Sequence, residues 1–169
     1  MWEHTGEQRP DFAVEPGPGQ ESVWDYPRPP IAKSCARLIE VRDGEIEIAR
    51  SKRSYRLLET ASPPTFYIPA ADVNWDYLVE TAGNSVCEWK GAALYWALER
   101  DADNAIGWTY PDPRLPFTKL KDHIAFYPGR IACFVAGEPV EAQAGHFYGG
   151  WVTDDIVGPF KGEPGTRHW

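Results

Sequence analysis

The chain has 169 residues, a length for one domain or two very small ones packed together, which excludes a large multidomain enzyme. Its 17 Lys and Arg against 25 Asp and Glu give a formal net charge of −8, and the resulting field opposes an unaided grip on nucleic-acid phosphates or an anionic membrane, so neither is an expected partner. Fifteen Gly and 16 Pro favour turns over long helical bundles, while 8 Trp, 8 Tyr and 7 Phe supply enough large apolar surface to close a core and exclude global disorder.

Residues 1–20 carry Glu3, His4, Glu7, Arg9, Asp11 and Glu15 and lack the apolar stretch of a signal peptide. With Glu15-Pro16-Gly17-Pro18-Gly19-Gln20 at its end, this stretch is expected to be a flexible, extended arm with few backbone hydrogen bonds, and the compact domain is expected over 21–169. Nowhere do about 18 apolar residues run together, so no membrane span is predicted. Cys35, Cys87 and Cys133 are odd in number and far apart, which suits thiols in a reducing cytoplasm. Neither they nor His4, His123, His146 and His168 show paired ligand spacing, so no metal or other cofactor is expected.

Val23-Trp24-Asp25-Tyr26-Pro27-Arg28-Pro29-Pro30 mixes aromatics with restricted backbone positions, the composition of a stiff strap that packs as an N-terminal tie or holds a ligand. From Leu38 the pattern turns to period two around Asp43-Gly44, predicting a hairpin with strands at about 38–42 and 45–50. A strand at 55–59, a break at Ser62-Pro63-Pro64 and extended structure over 65–68 follow. Residues 91–98 have helical propensity, but a polar turn at 99–104 and the strand-like 105–110 make them one arm of a hairpin, with helix as the rival reading. The run 39–48 aligns with 124–133 through Gly44 and Gly129, which predicts a second hairpin over 123–135 and two related β units at about 37–111 and 112–160.

Trp24-Asp25-Tyr26-Pro27-Arg28-Pro29, Leu58-Glu59-Thr60, Tyr67-Ile68-Pro69, Cys87-Glu88-Trp89-Lys90-Gly91, Tyr95-Trp96, Trp108-Thr109-Tyr110-Pro111, Ala125-Phe126-Tyr127-Pro128 and Phe147-Tyr148-Gly149-Gly150-Trp151 occur in order. In these motifs, from about residue 21 onward, the chain resembles the domain of unknown function 427 family, mainly bacterial proteins that some family collections label nucleotidyltransferases. The resemblance implies a mainly β fold of small, strongly bent antiparallel sheets, the β-tent, in tandem. Relatives by fold bind small heterocycles in an aromatic cage or hold zinc between four cysteines. This chain lacks the cysteine quartet, so the zinc does not carry over, and the cage is an analogy of fold.

Trp89, Trp96, Trp108, Tyr110 and Trp151 are candidates for a ligand-facing aromatic wall with Lys90 near its rim, and plain core is the alternative for each. Gly149-Gly150 beside Trp151 allows close backbone approach, or a tight turn. If 87–90 is a strand, Glu88 and Lys90 share one face, as a salt bridge or a polar ligand contact, and Cys87 and Trp89 share the other. Cys87 as a nucleophile needs a base from His123 or His146. Glu59 and Tyr67 flank the Pro-Pro turn, which aims them into a cleft unless Glu59 caps the turn and Tyr67 packs. Nucleotidyl transfer needs carboxylates gathered on one strand for Mg²⁺ and a phosphate cradle. Asp154-Asp155 is the single adjacent acidic pair and would point to opposite faces of a strand. The expected function is therefore small-molecule binding in an aromatic pocket suited to a planar heterocycle. The alternatives are a transferase or hydrolase using Glu59, Tyr67, Cys87 or Lys90, and a protein-interaction scaffold.

Overall fold

The computed structural model describes residues 2–169, and its strands follow the period-two pattern of the sequence. β1 (Glu21–Ser22) and β2 (Ile31–Cys35) bracket the aromatic strap, and β3 (Ile39–Asp43) and β4 (Ile46–Ser51) form the hairpin predicted at Asp43-Gly44. Gly44 turns that hairpin with φ of 61°, a left-handed conformation in which a side chain is disfavoured. β5 (Ser54–Leu58) and β6 (Thr65–Pro69) lie on either side of the Pro-Pro break. β7 (Leu78–Cys87), β8 (Gly91–Leu98) and β9 (Ala105–Thr109) run as a meander. β8 is thus a strand paired along both edges, and its helical propensity yields to that pairing. β10 (His123–Phe126), β11 (Ala132–Val135), β12 (Glu138–Pro139), β13 (Glu141–Ala142), β14 (Trp151–Val152) and β15 (Ile156–Val157) complete the chain. Helical structure among the described residues is confined to three-residue 3₁₀ turns, so the protein is mainly β.

The strands form a seven-stranded antiparallel sheet in the order β2-β5-β6-β10-β9-β8-β7 and a four-stranded antiparallel sheet in the order β12-β11-β3-β4. Two-stranded ribbons add β13 with β14, antiparallel, and β1 with β15, parallel. The second predicted hairpin is not one. β10 pairs with β6 and β9 in the large sheet, whereas β11 pairs with β3 and β12 in the small one. The Pro128-Gly129 turn, closed by Arg130 N–H to the Tyr127 carbonyl at 3.0 Å, passes the chain between sheets instead of folding it back on itself. Its likeness to the Gly44 hairpin is a likeness of turn chemistry. Each sheet accordingly takes strands from both sides of residue 111.

Alternation decides which face each side chain serves. Phe66, Ile68, Ile124 and Phe126 of the large sheet meet Ile39, Val41 and Ile48 of the small one, with Cys133, Val135 and Trp151 closing the core between them. Each such aliphatic side chain contributes about 1.5–3 kcal/mol of burial. The intervening residues Tyr67 and Ala125, with Trp108, face the other way and build a second apolar layer with Leu57, Tyr110 and Phe117.

The strap packs as a tie. Trp24 is fully buried and gives its indole N–H to the Pro159 carbonyl at 3.1 Å, with the rings of His4, Phe12 and Trp169 at 5.1–5.2 Å around it. Residues 2–20 have few backbone bonds, among them Val14 N–H to the Gly158 carbonyl at 2.8 Å, and are held mainly by such side chains.

Candidate functional site

On its second face the large sheet aligns Tyr55, Tyr67, Ala125, Trp108 and Tyr95 as successive register partners across β5, β6, β10, β9 and β8. Ala125 is the one small residue in this aromatic row. The Tyr67 and Trp108 rings on either side of it stand edge to face, 6.2 Å apart, and the Trp108 Nε1–H reaches the Tyr67 Oη at 3.3 Å. The floor formed in this way belongs to a cavity of about 360 Å³, large enough for a drug-sized ring system.

Three connections raise walls on that floor. The loop at Phe147-Tyr148-Gly149-Gly150 lies so close to Trp108 that a Cβ on Gly149 would collide with the indole, and one on Gly150 would meet the Gln143 amide and the Pro63 carbonyl. Gln143 holds this loop, accepting from Gly150 N–H at 3.1 Å and donating to the Lys161 carbonyl. Opposite it, the β7–β8 turn of Glu88, Trp89 and Lys90 is pinned by Arg114, whose Nη1 donates to the Glu88 carbonyl at 3.0 Å and whose backbone N–H donates to that of Lys90 at 2.9 Å. Trp2, stacked under the Arg28 guanidinium at 3.9 Å, completes the lining.

The polar groups here include phenols, two lysines and the carboxylates of Glu59 and Glu88. Burial pushes the Tyr67, Tyr110 and Tyr127 hydroxyls well above the usual tyrosine range, so they remain protonated donors. Tyr95 Oη and Ser85 Oγ are hydrogen-bonded at 2.7 Å. Burial, reinforced by Arg28, pushes the Lys161 ammonium below its ordinary value, while Glu59 and Glu88 oppose the shift. Glu59 is paired with Arg28 at 3.3 Å, and the Arg28 side chain, 2% exposed, also donates to the carbonyls of His4, Thr60 and Trp169.

A family model described as "Domain of unknown function (DUF427)" matches residues 31–137. The chain belongs to that family. No curated protein matches it. The DUF427 span holds β2 through β11, and with them the aromatic row and the β7–β8 turn, whereas the 147–150 loop and Lys161 lie beyond it.

Of the residues singled out from the sequence, Glu59, Tyr67, Cys87, Trp89, Lys90, Trp108 and Tyr110 line this one cavity. Trp96 and Trp151 do not. Trp96 is on the opposite face of β8, its ring 4.9 Å from Trp75 and its Nε1–H on Thr109 Oγ1 at 3.0 Å. Trp151 is fully buried between the sheets, 4.8 Å from Phe66, with its Nε1–H on the Phe126 carbonyl at 2.9 Å. The faces expected over 87–90 also change, because the strand ends at Cys87 and a turn releases the alternation: Glu88 is exposed, Trp89 half-buried and Lys90 buried. Among the described residues Glu88 and Lys90 form no ion pair. Neither histidine offered as a base for Cys87 lines the cavity. His123 lies beside Tyr55, ring centroids 5.3 Å apart, and His146 lines a separate cleft with Arg130. Tyr95, Tyr127, Gln143, Tyr148, Lys161 and Trp2 are among the lining residues that sequence reasoning missed. For Tyr95 the signal was present, since a residue next to Trp96 on a strand must face the other side.

Proposed function

We propose that this DUF427 protein binds a planar heterocyclic small molecule in the cavity lined by Tyr67, Trp108 and Tyr110. The observation that carries the reading is the aromatic lining: Tyr67, Trp108, Tyr110, Tyr95, Trp89 and Tyr148 put ring surface with phenol and indole groups around one cavity of about 360 Å³. A flat ring fits such a lining by stacking, and the polar groups orient its heteroatoms. Binding is favoured over turnover because the buried phenols are too weak as acids to serve as bases at neutral pH, and the nearest thiol, Cys87, has no histidine on the cavity wall. The nucleotidyltransferase label gains nothing from Asp154 and Asp155, which lie outside the lining, Asp155 being paired with Arg37 at 2.8 Å. Cys35, Cys87 and Cys133 are free thiols, which supports a reducing, cytoplasmic setting.

Ligand-observed NMR with a set of planar heterocycles tests this. Trp89→Ala, at a half-buried turn position, is expected to weaken the hits by about tenfold or more while leaving the melting temperature near that of the wild type. Trp96→Phe, on the far face, leaves them unchanged. Hits that ignore Trp89 but respond to Trp96 would refute the assignment.

A further inference from the structure

Resting on the binding reading above, we infer that the ligand of this cavity carries an anionic oxygen group, a carboxylate or a phosphate, held by Lys90 and Lys161. The two lysines are 7% and 8% exposed and both line the cavity. Among the described residues neither ammonium has a carboxylate within ion-pair distance or donates a hydrogen bond to any protein acceptor. Their close neighbours are ring faces: the Lys90 Nζ is 5.8 Å from the Tyr110 centroid and 5.9 Å from that of Phe117, and the Lys161 Nζ is 4.8 Å from Trp2 and 5.9 Å from Tyr148. Such faces attract a cation but accept none of its three N–H bonds in the strong sense. Buried charges are otherwise paired, because desolvation without compensation is costly.

The nearby carboxylates favour the charged form of Lys161 without pairing with it: Glu59 is committed to Arg28, and Glu88 sits exposed at the rim. Arg28 and Arg167 both act on Lys161 to disfavour a further positive charge. In a chain with net charge −8, two ammonium groups without a bonded partner thus line one aromatic cavity. An anionic substituent on a flat ring meets both features at once, the ring against the aromatic lining and the oxygens on the ammonium groups.

Isothermal titration with two matched pairs, nicotinate against nicotinamide and AMP against adenosine, reads the charge separately from the ring. The anionic member of at least one pair is expected to bind tenfold or more tightly than its neutral partner. Lys90→Met and Lys161→Met, which keep the stem and remove the charge, are each expected to reduce that preference by about tenfold and leave the neutral member within about twofold. A preference in the nicotinate pair alone identifies a carboxylate, and one in the AMP pair alone a phosphate. Equal binding within both pairs, or a preference that survives both substitutions, overturns the anion site while leaving ring binding intact. Failure of all four probes to bind overturns both. The ligand-free variants supply a second readout: removing an ammonium that has no protein partner leaves the melting temperature equal or higher, and a clear fall in both variants would mean that the lysines serve the fold instead.

Discussion

Gly149→Ala isolates the contact that shapes the cavity roof. The φ of Gly149 is not in the left-handed region, so alanine adds no backbone strain and its whole effect is the added methyl group. That methyl would overlap the Cζ3 and Cη2 edge of the Trp108 indole and touch Tyr127 at 3.4 Å. Trp108 cannot yield freely, because it is held by the Tyr67 hydroxyl at 3.3 Å and by Tyr127, whose ring centroid is 4.6 Å away. Either the loop lifts or the indole tilts, and overpacking of this kind costs about 2 kcal/mol. In a chain of this length that corresponds to a fall in melting temperature of about 4–8 °C, read by circular dichroism. A double-mutant cycle makes the cause specific. Trp108→Phe removes the ring atoms with which the methyl collides, so adding Gly149→Ala to that background is expected to cost about 1 kcal/mol less than it does alone. An unchanged melting temperature for Gly149→Ala, or strict additivity in the cycle, would refute the close approach of loop and indole.

Asp72 should contribute to acid sensitivity, beside Asp25, Asp43 and Asp155, whose carboxyls are also held low. Its carboxyl is held below the usual range by Arg53, which bonds it at 2.9 and 2.8 Å, and by Ser51 Oγ at 2.7 Å. Because the folded value is depressed, the stabilisation is complete above the ordinary aspartate value of about 4 and is lost as pH falls through the lower folded value. Asp72→Asn is expected to lower the melting temperature at pH 7 by roughly 2–4 °C and to flatten its acid limb below about pH 4, and an unaltered limb would place the titration elsewhere. Chelation is expected to leave the unfolding curve unmoved, since among the described residues no cluster of three or more His, Cys, Asp or Glu is placed to hold a metal. A fall in melting temperature with EDTA, reversed by zinc, would contradict this.

The hairpin at Gly44, the meander of β8 with β9 and the break at Pro63-Pro64 were legible because each depends on a few adjacent residues. The site was legible in part for the same reason: Trp89 and Lys90 lie in one turn, and Trp108 and Tyr110 close to the end of one strand. What escaped the sequence was phase and crossing. Tyr95-Trp96 must split across the sheet, but period two alone does not say which of the pair faces the cavity; the pairing of Tyr95 with Trp108, and of Trp96 with Gly107, decides it. Gly129 resembled Gly44 locally, yet the residues after it find the edge of β3 and not β10, an outcome set by a partner some 90 residues earlier in the chain. That crossover also builds the cavity floor. With β10 inserted between β6 and β9, Ala125 is the register partner of both Tyr67 and Trp108, and its small side chain lets the two rings meet edge to face on the cavity side. The cavity is therefore a product of strand order. The aromatic motifs supply its lining, and the long-range register brings that lining together.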